Sequence, residues 1–178
     1  MNKKRCSWVT DDDVYIRYHD EEWGIPTHDD RELFEMLVLE SFQAGLSWIT
    51  ILKKRENFRK AFDDFDVVKV ANYGDDKVDE LRSNESIIRH KGKITSAINN
   101  AQIFIKIQEE FGSFSDYIWS FTDGEIIKAE YLTESDLSKE ISKDLKKRGM
   151  KFVGPTIIYS YLESIGVIDN HEKDCFRY

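Results

Sequence analysis

Cysteine is nearly absent: the 178 residues contain two, Cys6 and Cys175. That excludes the disulfide-dense scaffolds of small secreted domains, and a chain of this length can bury a core without such staples. Proline is equally scarce, with Pro26 and Pro155 both at plausible element boundaries. No uncharged apolar run approaches the roughly 18–20 residues of a bilayer span. The basic start "MNKKRCSWVTDDD" has no apolar stretch behind it, so it does not read as a signal peptide. Sustained period-2 alternation, internal repeats and low-complexity linkers are also missing. What remains is the expectation of a single all-α domain over residues 1–178, a compact bundle of many short helices, in the cytoplasm with its thiols reduced.

Net positive charge is lacking too. The formal charge is −8, which by itself argues against non-specific binding to nucleic acid. The distribution is uneven, however. Residues 11–40 hold eleven acidic and two basic side chains, whereas 51–60 hold five basic and one acidic, 82–93 four and one, and 143–151 five and one. Three basic patches could grip a polyanion if they converge in space; as solvated helix faces they would mean nothing.

Apolar spacing is helical along most of the chain. Leu33, Met36, Leu37, Glu40 and Ala44 share one face at steps of three and four. Ile49, Leu52, Phe58 and Phe62 predict a second helix with Ser47 as its N-cap. Ile94, Ala97, Ile98, Ala101, Ile105 and Gln108 predict a long third. After Gly112, Phe114, Tyr117, Ile118 and Phe121 continue the pattern, with Ser113 and Asp116 spaced as a capping box. Leu137, Ile141 and Leu145 stripe a helix ended by Gly149, and Val153–Ile165 reads as an apolar helix ended by Gly166. The least helical stretch is 122–133, whose Asp-Gly marks a turn.

Three features carry chemistry. First, Cys6 and His19 near one end, and His171 and Cys175 near the other, make up a Cys2His2 set; such a closed tetrahedral zinc site would be structural and would join segments 6–19 and 171–175. Each pair alone is commonly coincidence, and His28 and His90 read as surface residues. Second, residues 78–101, "VDELRSNESIIRHKGKITSAINNA", read as a short helix, a polar turn at 84–86 and a second helix from about Ile87, capped by Asn84 or Ser86. A helix N-terminus receives phosphate through its free N–H groups, and Arg89, Lys91 and Lys93 would reinforce it. The bland alternative is an ordinary αα-hairpin with a basic outer face. Third, Glu40 lies on the apolar face of its helix, near a first third rich in aromatics: Trp8, Tyr15, Tyr18, Trp23, Phe42 and Trp48. A buried carboxylate must be hydrogen-bonded, paired or neutral. No Lys or Arg lies one turn away, so its partner is an Arg from elsewhere in the fold or a flat cationic ligand.

The stretches "YHDEEWG" (18–24), "LFEMLVLESFQAGLSWITILKKRENFRKAF" (33–62), "IIRHKGKI" (87–94) and "LKKRGMKFVGPTIIYSYLESIGVIDNH" (145–171) resemble the bacterial 3-methyladenine-DNA glycosylase I family, of the helix-hairpin-helix glycosylases. The resemblance runs from about Cys6 to Cys175. It implies hydrolysis of the N-glycosidic bond of 3-methyladenine in alkylated double-stranded DNA, with 3-methyladenine as product, no membrane partner and a monomeric chain. It implies one structural zinc on Cys6, His19, His171 and Cys175. It makes Glu40 the base-pocket glutamate, possessing the catalytic role if any residue does, with Tyr18, Trp23, Trp48 and Trp8 around it. It assigns the duplex wedge to Gly45 and Leu46, and the hairpin, with Arg89, Lys91 and Lys93, to the DNA backbone. Ser86 stands where relatives often have Gly, and Phe42 where small or polar residues are common. Two other classes are left: a catalytically silent damage binder of this fold, and a small-molecule enzyme or interaction protein whose basic patches are incidental.

Overall fold

A computed structural model describes residues 3–129 and 132–178; within the stretch 122–133, residues 130 and 131 lie outside the described residues. The described residues are mainly helical, and no helix among them is long and apolar enough to cross a membrane. The helices are α1 (Asp13–Glu21), α2 (Asp30–Gln43), α3 (Trp48–Ala61), α4 (Val67–Ala71), α5 (Asp75–Ser83), α6 (Lys91–Phe111), α7 (Phe114–Ser120), α8 (Asp136–Lys147) and α9 (Pro155–Ser164). The sequence pattern did not single out α1, which is short and mostly polar, or α4, which has five residues. It also did not anticipate a two-residue parallel ladder, β1 (Ile127–Lys128) against β2 (Ile168–Asp169).

The centre of the bundle is α2, buried at every position from Leu33 to Phe42. Asp29 caps it by accepting from the Glu32 N–H at 3.0 Å. Packing on all sides explains why propensity matters little here: α3, α6, α7 and α9 all lie against it. At its start, the Asp30 carboxylate accepts from the backbone N–H groups of Phe114 and Ser115, both at 2.9 Å. One acidic side chain therefore caps α7 and fixes it to α2. Ser113 accepts from the Asp116 N–H at 2.9 Å, but the reciprocal half of a capping box forms instead at Ser135–Ser138.

Two buried carboxylates sit on α2, and they have opposite fates. Glu35, one face away from Glu40, is met by cations: Arg55 Nε at 2.7 Å and Arg59 Nε at 2.9 Å. Arg55 also donates to Glu22 at 2.7 Å. These pairs, with Lys53–Asp12 at 2.7 Å, absorb much of the 51–60 basic patch internally. Arg148 is absorbed likewise by Glu110 at 2.6 Å and Asp144 at 2.8 Å. Two of the three basic patches, 51–60 and 143–151, are thus less available to a polyanion than their composition suggests.

The hairpin at 78–101 forms, but its second helix starts at Lys91 rather than near Ile87, and its cap is His90 rather than Asn84 or Ser86. Asn84 Oδ1 is occupied within the turn, accepting from the Ser86 N–H at 3.0 Å and from the Ser86 hydroxyl at 2.5 Å. Ile87 is buried and anchors the connection in the core before the helix can begin. His90 is exposed, as expected, yet its Nδ1 accepts from the Lys93 N–H at 3.0 Å.

Lys93 requires a correction. Its ammonium is not offered to DNA but is buried, and it donates to the carbonyls of Phe42 at 2.8 Å and Ala44 at 2.6 Å. Helix ends leave unpaired carbonyls, and no side chain of the last turn of α2 is basic. Lys93 supplies what is missing, and in doing so ties the N-terminus of α6 to the corner after α2. Lys93→Met should destabilise the fold by about 1–3 kcal/mol, the cost of carbonyls left without a donor. Urea unfolding measures that loss.

Candidate active site and metal cluster

One cavity of about 260 Å³ opens beside α2, lined by Trp8, Tyr15, Tyr18, Trp23, Glu40, Gln43, Trp48, Ser160 and Glu163. Every residue that the sequence assigned to base binding is on that wall. Trp8 and Trp23 meet edge to face at 5.1 Å, Trp8 and Tyr15 at 5.3 Å, and Tyr18 and Trp48 lie 5.6 Å apart. Such rings bind flat groups by their faces and attract cations.

Glu40 forms no hydrogen bond or ion pair among the described residues, and no Lys or Arg lines the cavity. The Arg partner left open by the sequence goes to Glu35 instead. Burial pushes the Glu40 carboxyl well above the usual range, and the neighbouring Glu163 pushes it further. An ionised Glu40 is therefore disfavoured in the empty pocket and favoured by a cation placed in it.

Glu163, Gln43 and Ser160 were missed. A signal for Glu163 was present: it is the sole charged residue between Val153 and Ile168, an apolar helix like that of Glu40. Its Oε2 accepts from Asn170 Nδ2 at 3.1 Å, and burial raises its pKa to about 7.

The chain turns sharply between α2 and α3. Gly45 has φ +80°, a left-handed conformation, and an added Cβ would meet nothing within 4 Å. The glycine is required by backbone shape, not by crowding. Leu46 is 37% exposed beside it, its carbonyl accepting from Gln43 Nε2 at 2.8 Å. Ser47 takes the N-cap position of α3 without a side-chain cap bond; its hydroxyl pairs with Thr50 at 2.6 Å. Arg89 and Lys91 are exposed on the adjoining hairpin.

Behind the aromatic wall, Cys6, His19 and Cys175 bring one ligand atom each within 4.8 Å of one another, all buried. His171 is not in that tight group, but its ring lies 5.4 Å from that of His19 and its Nε2 is buried without a partner. Asp20 holds His19 Nδ1 at 2.8 Å, and Asp169 holds His171 Nδ1 at 2.7 Å. Carboxylates on Nδ1 leave Nε2 of each ring for a metal, the usual outer-sphere arrangement. The donor types of Cys6, His19 and Cys175 fit a metal; burial pushes the Cys6 thiol up to about 12, so without a cation beside it the thiol keeps its proton. The cluster touches the cavity through Trp23, whose ring sits 4.6 Å from that of His171. Gly24 follows it at φ +75°, where a Cβ would fall 2.6 Å from His171 Cε1. Phe176 N–H to Lys4 O at 2.8 Å, and Ser7 to Glu172, join the two chain ends around the cluster.

Comparison with known proteins is consistent with this geometry. The family model described as methyladenine glycosylase matches residues 8–178. DNA-3-methyladenine glycosylase 1 of Escherichia coli strain K12 is 46% identical over 181 residues, covering 98% of this chain and 97% of that protein. A crystal structure of a 3-methyladenine DNA glycosylase I superposes with a TM-score of 0.94 at 46% identity, covering 97% of this chain and 98% of that one. A variant of 3-methyladenine DNA glycosylase I in complex with 3-methyladenine superposes at 0.93 with 42% identity, covering 97% and 96%.

Proposed function

This chain belongs to the methyladenine glycosylase family, and we infer that it is a monofunctional DNA-3-methyladenine glycosylase of base-excision repair. It hydrolyses the N-glycosidic bond of 3-methyladenine in alkylated DNA, releasing the base and leaving an abasic site. The observation that carries the reading is the buried, unpaired Glu40 in an aromatic cavity without a basic side chain. N3-methylation makes adenine cationic and weakens its bond to deoxyribose. The pocket offers the cation ring faces and a carboxyl that regains its charge when the base enters. With the leaving group already activated, the bond breaks through an oxocarbenium-like state as in other glycoside hydrolyses. No lysine lines the cavity, which fits attack by water rather than by an amine.

The target nucleotide must leave the duplex, at a cost of a few kcal/mol that is least for a damaged base. Leu46, exposed on the Gly45 corner, is suited to fill the vacated stack. The hairpin would hold the backbone as a helix-hairpin-helix element through Arg89, Lys91 and the N-terminus of α6, without Lys93. Cys6, His19, His171 and Cys175 would hold a structural zinc, which supplies no reacting group and fixes the Trp8 and Trp23 side of the pocket.

The test is incubation with methylated duplex DNA and identification of what is released. Free 3-methyladenine is expected. Tight, strongly salt-dependent binding without release would make the chain a silent damage binder; neither release nor binding would overturn both readings.

A further inference from the structure

Two carboxyl groups face one cavity, and no basic group does. Glu40 comes from α2. Glu163 comes from α9, three residues after Ser160, so both α9 side chains point the same way. We propose that Glu163 is a second specificity-determining residue of the base pocket, acting with Glu40 as a carboxyl pair that selects a positively charged base over a neutral one. The inference rests on the glycosylase reading.

The walls are aromatic, so charge is weakly screened inside. Two carboxyls in such a space do not both ionise readily, because each raises the cost of the other. The directions agree: burial lifts both groups, and Glu163 adds to the lift on Glu40. The other ionisable groups that feel Glu163 are Tyr18 and Tyr159, whose hydroxyls are pushed up and stay neutral. A cationic base compensates one carboxylate, and the other carboxyl keeps its proton. The pocket then offers an acceptor and a donor, and adenine presents an amino donor beside a ring-nitrogen acceptor. A neutral base compensates neither charge. On cleavage, the electron pair of the C1′–N9 bond stays with the base, which becomes neutral; water adds hydroxide to C1′ and its proton goes to solvent. The positive charge passes to the sugar at the pocket mouth. The pair therefore favours cationic substrate over neutral product, and acts on binding more than on bond breaking.

The test uses Glu163→Gln in the full-length protein, a near-isosteric change that keeps an oxygen for Asn170. Probes are 3,9-dimethyladenine, a permanent cation, and neutral 9-methyladenine, with affinity read from quenching of tryptophan fluorescence. The parent should prefer the cation, and the variant should lose about tenfold of that preference, ~1.4 kcal/mol. On methylated DNA its KM should rise with kcat nearly unchanged. Glu163→Asp retains the second ionisable carboxyl and should retain the preference, whether or not the Gln variant folds well. An unchanged preference in Glu163→Gln, or equal losses in the Gln and Asp variants, overturns the proposal. Failure of the parent to release 3-methyladenine from DNA would overturn the functional reading instead, and the cation preference would still be measured.

Discussion

Glu40→Gln should lose about 10- to 100-fold in kcat/KM on methylated DNA while leaving the ligand-free protein at least as stable as the parent at neutral pH. The first half follows from the loss of a charge-assisted contact to a cationic base, worth ~1.5–3 kcal/mol. The second follows from the pocket. Glu40 is buried without a partner, and its pKa is raised. A raised folded-state value means that the group favours the fold fully below its unfolded value, and that this contribution is lost as pH rises through the folded value. For Glu163 the window is explicit, from the ordinary 4.5 to about 7. The empty parent should therefore lose stability across that range, and the Gln variant, with one carboxyl removed and the repulsion gone, should show a flatter curve. Thermal melts without ligand from about pH 5 to 8, beside single-turnover release of base, check both halves. A side chain present only for packing would move stability and activity in the same direction. Opposite movement is the signature of a group held at the expense of the fold for a ligand. Full retained activity in the variant would sink this account.

The contrast between Glu35 and Glu40 shows where sequence reasoning reaches its limit. Both lie on α2, both are buried, and periodicity marks Glu40 as odd. Nothing in the spacing says that Arg55 and Arg59, one helix later, turn to Glu35 and leave Glu40 bare. That choice depends on how α3 docks on α2. Lys93 is the reverse case: its type and position suggest phosphate, but α6 docks so that its ammonium closes the end of α2. Legible features were those set by local chemistry. The α2–α3 corner follows from Gly45, the end of α8 from Gly149 at φ +102°, and the helical stripes from apolar spacing. The aromatic wall was readable as a cluster because its members crowd into the first fifty residues; its far side, Ser160 and Glu163, arrives from α9 and has no local mark except a lone carboxylate in an apolar run. The start of α6 was misplaced because capping potential at Asn84 was spent inside the turn, an outcome settled by the burial of Ile87 rather than by propensity.

Removing the metal from the cluster should lower stability by about 3–5 kcal/mol, a fall of roughly 10–15 °C in Tm for a domain of this size. A bound ion would act as a clip between Cys6 and Cys175, near the two ends of the chain, where closing a long loop contributes most. Its contribution is well below the roughly 10–16 kcal/mol by which zinc folds small peptides. Here a core already exists, and Phe176 to Lys4 and Ser7 to Glu172 hold the ends independently. Helical circular dichroism should accordingly persist in the metal-free protein. The pocket should not persist unchanged. Trp23 is flanked by the His19 and His171 rings, and Trp8 lies 5.4 Å from His19, so two cavity walls rest on histidines of the proposed zinc set. Loss of the ion should weaken binding of 3-methyladenine more than an equally destabilising change far from the cluster, such as one at the α4–α6 contact. His171→Ala discriminates among ligand sets: its Nε2 is buried without a partner, and if it is the fourth ligand, the variant should bind zinc at least about tenfold more weakly, since losing even a side chain that only orients a ligand costs about that much. Metal content after purification without chelator, melting temperature with and without added zinc, and tryptophan fluorescence on base binding together decide the matter. Sub-stoichiometric metal with unaltered melting and unaltered base binding would show that the four side chains form a packed thiol–imidazole core and hold the ends together without an ion.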